Sequence, residues 1–262
     1  MTHKTRLGAA LVVATLAVLL AAGLGSGHRV KSTSADLASL PAAPAPALRI
    51  GAPARLTSGR YLSRWTVLRA PAVARSAPSA TADVVATLSA RAPEGTPNLL
   101  PVLQASSRAA GALWVEVRLP VLPAGTVGWV RRDALGPYQL VNTRLVVDRA
   151  LLRATLYRNG KVIFTAPVGI GTEAAPTPGG EYTVRSKLTR FASPFYGPIA
   201  FGTTARSAVL TDWPDGGFVG IHGTSDPGAI PGRISHGCIR LRNSDIMRLA
   251  QLMPVGTPVS IR

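Results

Sequence analysis

Cys238 is the single cysteine of the 262 residues and lies in Ser235-His236-Gly237-Cys238-Ile239-Arg240-Leu241. Two of the four histidines, His222 and His236, precede it within sixteen residues. A thiol becomes a nucleophile when an imidazole or a cation draws off its proton, and a positioned acyl group then gives a covalent intermediate. The other histidines, His3 and His28, flank an N-terminal apolar run, so imidazole chemistry in the folded part falls to His222 and His236. In a strand His236 would share a face with Cys238, whereas a bend would send it elsewhere. His222 stands across the turn-rich stretch 223–228, which can fold back toward the thiol. Spacing therefore leaves both imidazoles open as the base. Gly237 permits close backbone approach, and Ser235 and His236 add polar groups that a purely apolar core would have to satisfy. Zinc held by His222, His236 and Cys238 is a legitimate arrangement, but no metalloprotease motif accompanies it, and neither metal nor cofactor is expected.

The elements that must hold this cluster are preceded by a leader. Lys4 and Arg6 come before an almost uninterrupted apolar run from Leu7 to Leu24, so residues 1–27 read as a signal peptide or N-terminal membrane anchor. Residues 28–59 are rich in Ala, Pro and Ser and read as a tether. Export places the remainder where disulfides form, yet one cysteine cannot make an internal one, so burial must stabilise the domains.

Two modest domains fit what remains. Residues 60–135 show short apolar segments, and the alternation in Trp114-Val115-Glu116-Val117-Arg118 is the two-residue period of a half-buried strand. A small β-barrel is expected, with Trp114 and Trp129 mostly in its core. The stretch from Arg91 to Gly111 reads as a Pro/Ala-rich insert. Residues 143–262 add further strands, a type I′ hairpin at Asn159-Gly160, and one helix from Asn243 to Leu252 capped by Asn243 or Ser244. Its apolar stripe is Ile246, Leu249, Ala250 and Met253.

The segments Ile221-His222-Gly223-Thr224 and Ser235-His236-Gly237-Cys238-Ile239-Arg240-Leu241 resemble the signature of L,D-transpeptidases with a YkuD-type domain. Leu156 to Lys161, Pro176 to Val184 and Tyr196 to Phe201 resemble other parts of that domain in the expected order. The segment ending in Gly128-Trp129-Val130-Arg131 resembles a bacterial SH3-like domain. The implied fold is mainly β: a small SH3-like β-barrel, then a YkuD-type β-sandwich with one or more short helices.

By this resemblance Cys238 is the nucleophile, His222 its base, and the Gly223 carbonyl orients the imidazole. His236 shapes the pocket, Ser235 supports the loop, and the N–H groups of Gly237 and Cys238 are oxyanion donors. Arg240 faces a stem carboxylate, and Tyr196 joins it as a substrate-binding candidate. The implied reaction takes the meso-diaminopimelate carbonyl of a peptidoglycan tetrapeptide stem, releases D-alanine, and passes the acyl group to an amine as a 3-3 cross-link. Water as acceptor would make the chain an L,D-carboxypeptidase, and a non-catalytic wall-binding protein is the alternative outside enzymology.

A net charge of +17 suits an anionic partner. Its basic residues are scattered rather than gathered on one helix, which favours wall polymers or a membrane surface over nucleic acid. Peptidoglycan stem peptides are the expected partner and anionic wall polymers a second. Membrane contact is expected only through an uncleaved leader, and the expected location is the cell wall or periplasmic space, with the chain either secreted or anchored to the outer face of the bacterial cytoplasmic membrane.

Overall fold

The computed structural model describes residues 53–56, 61–107, 111–189, 194–207, 209 and 217–262. The leader and most of the proposed tether lie outside these residues. No helix among the described residues is long and apolar enough to cross a membrane. The protein is mainly β, with two sheets over two apolar cores.

Among the described residues the first sheet has eight strands, and it encloses Leu68, Leu100, Val102, Val115, Val117 and Val130. Trp114 and Trp129 are buried, as expected for core residues. The insert expected after Arg91 is different in kind. It contains the nine-residue strand Leu99–Ser107, which pairs on one side with Ser63–Val67 and on the other with Leu113–Arg118. Pro101 hides this strand from a reading by propensity because proline is disfavoured inside sheets. Here it lies opposite Trp65, and the pairing shifts register just beyond it, between Val102 and Gln104. Burial of Leu99, Leu100 and Val102 outweighs the local preference.

The second sheet has ten strands among the described residues. Its longest, Gly180–Leu188, serves two neighbours: Gly180 to Thr183 pair with Pro258–Ile261, and Val184 to Leu188 pair with Ala200–Arg206. Ala200–Arg206 in turn pairs with Phe218–His222, which runs parallel to Ile239–Arg240. At the hairpin Asn159-Gly160, both residues have positive φ, 51° and 79°, as a type I′ turn requires.

The helix Asn243–Leu252 buries Ile246, Leu249 and Ala250, with Met253 just past its end. Its cap departs from expectation. Arg242 occupies the N-cap without a side-chain bond, and Asn243 Oδ1 instead accepts the Thr224 N–H at 2.9 Å. Asn243 thus ties the helix start to the segment that follows His222, which a capping rule based on local sequence cannot foresee.

Candidate functional site

Two neighbouring strands bring the chemistry together. Their parallel register sets His222 opposite Arg240 and Ile221 opposite Ile239, so Cys238 enters its strand beside Gly220. The Gly220 N–H donates to Cys238 Sγ at 3.3 Å. A methyl group at Gly220 would stand 3.7 Å from His222 Cδ2 and 3.8 Å from Cys238 Sγ. Ring and sulfur therefore flank the same point and open on the same space. They line two adjoining cavities of about 190 and 120 Å³.

The two histidines differ sharply. His222 is 1% exposed, and its Nδ1 lies 2.6 Å from the Gly223 carbonyl oxygen. A carbonyl can only accept, so Nδ1 carries the proton and Nε2 keeps its lone pair. His236 is exposed and lines only the smaller of the two cavities. Tyr196 packs edge-on against the His222 ring with centroids 4.9 Å apart. The Arg240 guanidinium lies 4.4 Å from the Phe195 ring centre, and its Nε is buried without a hydrogen-bond partner among the described residues.

Electrostatics leave both groups neutral at rest. Burial lowers the His222 pKa to about 4, against the opposing effect of the Gly223 carbonyl, and Arg240 pushes it further down. Burial also raises the Cys238 thiol, while the Gly220 N–H and the Arg240 charge pull it back toward the thiolate. The arrangement is thus a thiol beside a proton acceptor rather than a preformed ion pair.

The loop that presents Cys238 is fixed by side chains. Ser235 Oγ donates to the Cys238 carbonyl at 2.5 Å and accepts the Gly237 N–H at 3.1 Å. The Gly237 N–H is therefore already engaged, which removes it from the expected pair of oxyanion donors in this state and leaves the Cys238 N–H as the remaining candidate. Gly237 has φ of 116°, a conformation open to glycine. Its carbonyl accepts from Thr177 Oγ1 at 2.8 Å, and that hydroxyl oxygen in turn accepts the Gly171 N–H at 2.8 Å. Thr177, from the Pro176-Thr177-Pro178 segment, thus braces the loop that carries Cys238, a role that local sequence gave no means of assigning. Thr177→Val should leave both backbone groups buried and unpaired, at a cost of about 1–3 kcal/mol each, read as a lowered midpoint in denaturant unfolding.

Glu94 and Arg185 also line the larger cavity. Sequence reasoning missed both, since they come from different sheets and no spacing links them. The one available signal was that Glu94 is the only acid between Arg91 and Gly111.

A family model described as the L,D-transpeptidase catalytic domain, YkuD, matches residues 142–261. The Bacillus subtilis protein named "Putative L,D-transpeptidase YqjB" is 31% identical over 133 residues, covering 48% of this chain and 70% of the relative. The chain belongs to the L,D-transpeptidase family. The Bacillus licheniformis protein "Putative L,D-transpeptidase YkuD" is 32% identical over 106 residues, 40% of this chain. The match spans 57% of that relative's length. Among solved structures, an L,D-transpeptidase from Mycobacterium smegmatis aligns with 58% of this chain and 90% of its own, at 18% identity and a TM-score of 0.38. The matched stretch of this L,D-transpeptidase family member contains every candidate site residue from Tyr196 to Arg240, whereas Glu94 lies outside it.

Proposed function

We propose that the chain is an exported, cysteine-dependent L,D-transpeptidase acting on peptidoglycan stems. The supporting observation is the shared cavity of Cys238 and His222, with the imidazole held by the Gly223 carbonyl so that its unprotonated nitrogen is available. In the first half-reaction Cys238 sulfur attacks the diaminopimelate carbonyl carbon as its proton passes to His222 Nε2. The carbon–nitrogen bond to D-alanine then breaks, and His222 returns the proton to the departing amine. A thioester remains on Cys238. In the second half-reaction an amine of a neighbouring stem attacks that thioester, gives its proton to His222, and expels the thiolate, which is reprotonated. The product is a 3-3 cross-link.

Negative charge developing on the carbonyl oxygen falls to the Cys238 N–H. The Gly220 N–H stabilises the sulfur as it becomes anionic. The buried Nε of Arg240, without a hydrogen-bond partner among the described residues, supports its reading as a donor to a stem carboxylate, and Tyr196 walls the same space. His236, exposed at the rim, shapes the smaller cavity rather than serving as the base. We assign residues 1–27 to export or anchoring, 28–59 to a tether that gives reach, 60–135 to an SH3-like wall-binding domain and 143–262 to catalysis, with anionic wall polymers as the partners of the basic surface.

Incubation of the full chain with diaminopimelate-containing tetrapeptide muropeptides, followed by mass spectrometry, tests this reading. D-alanine loss with a dimer mass is expected. D-alanine loss with monomers alone would make the chain a carboxypeptidase, and no reaction would leave a wall-binding protein.

A further inference from the structure

The first sheet reaches into the cavity of the second. Between Arg91 and Pro97 the chain makes a tight turn, closed by the Gly95 N–H donating to the Ala92 carbonyl at 2.9 Å, with Glu94 at its tip. The Glu94 carboxylate accepts from Arg185 at 2.6 Å, from Ser186 Oγ at 3.1 Å and from Thr96 Oγ1 at 3.1 Å. The side chains of Arg185 and Glu94 are 4% and 9% exposed. The Arg185 guanidinium lies 3.6 Å from the centre of the Phe218 ring, and Phe218 opens the strand that carries Gly220 and His222.

An ion pair this buried contributes little stability over an apolar pair of the same shape, because desolvation offsets its attraction. Its position gives it another use. Among the described residues, Glu94 is the only carboxylate lining either cavity that holds Cys238, whereas Arg185 lines one and Arg240 the other. One negative charge in a weakly screened cleft decides which charges a ligand can bring there.

We propose that Glu94, supplied by the first sheet, is a specificity-determining residue of the groove: its charge offsets Arg185 and turns away a stem carboxylate at that end. This rests on the transpeptidase reading above. The end of the diaminopimelate side chain bears an ammonium group and either a carboxylate or a carboxamide. With Glu94 in place the groove selects the carboxamide, which accepts and donates hydrogen bonds without bringing a second negative charge. The N-terminal sheet is then part of the substrate groove as well as a wall-binding appendage.

Two tetrapeptide stems that differ only in carboxylate or carboxamide at that position test the proposal in the full chain, read as the ratio of their kcat/KM values for D-alanine release. The wild type should favour the carboxamide. Glu94→Gln keeps the hydrogen-bonding shape but removes the charge, and should move the ratio toward the carboxylate by about tenfold, the scale of one hydrogen bond to a charged group. Arg185→Gln should move it the opposite way, and the double variant should return close to the wild-type ratio. Either single variant suffices if the other does not fold. Release from both stems at a ratio that neither variant moves would overturn the role of Glu94 while leaving the transpeptidase reading intact. Release from neither stem by the wild type would overturn that reading and the inference with it.

Discussion

Cys238→Ala should abolish D-alanine release from tetrapeptide stems, a loss on the order of 10⁴-fold or more, as when the nucleophile of a covalent mechanism is deleted. The fold should survive. The sulfur's hydrogen bond is with the Gly220 N–H at 3.3 Å, and the loop around it is held by Ser235 and Thr177. Removing one such bond costs about 1 kcal/mol, so thermal unfolding should shift by only a few degrees. The paired measurement matters because a wall-binding protein with an incidental cysteine would keep its assay function in this variant. A Cys238→Ala protein that still releases D-alanine would reject the mechanism outright.

His222→Gln should lower acylation by about 10²–10⁴-fold, the usual contribution of a positioned general base. The pH profile carries the sharper signature. With the His222 pKa lowered to about 4, the acid limb of kcat/KM should fall near pH 4 rather than near the ordinary imidazole value of about 6.5. The same shift acts on stability. The folded pKa lies below the unfolded one, so the associated stability is fully present above about pH 6.5. As the pH falls toward 4, the unfolded chain takes up the proton first and that stability is lost. For a side chain this buried, a shift of that size corresponds to about 3 kcal/mol. Denaturant unfolding between pH 7 and pH 4 should show this loss in the wild type and not in His222→Gln. An acid limb at pH 6.5, unchanged by the substitution, would point to another base.

The sequence carried some of this directly. A mainly β chain was legible from two-residue alternation and the Asn159-Gly160 turn, and Cys238 with its two nearby histidines stood out as candidates from residue types alone. The helix stripe at Ile246, Leu249 and Ala250 was equally plain, because a helical face repeats over a few residues. What stayed hidden depends on contacts between distant segments. Spacing could not separate His222 from His236, since their difference in burial and neighbours rests on the parallel register that brings Gly220 beside Cys238. The engagement of Gly237 N–H by Ser235, and of Asn243 by Thr224, shows side chains taken up by tertiary partners where local rules assign them other work. The strand Leu99–Ser107 was masked by Pro101, and without that strand the turn that delivers Glu94 had no visible destination.

The central claim is that Cys238 carries the acyl group. Brief mixing of the full chain with a diaminopimelate tetrapeptide, acid quenching and mass spectrometry of the protein and its proteolytic fragments tests it most directly. A mass increase equal to the stem less D-alanine, confined to the fragment containing Cys238 and removed by hydroxylamine, is the predicted result. D-alanine release with that fragment unmodified throughout the time course, or with the acyl group on another residue, would contradict it.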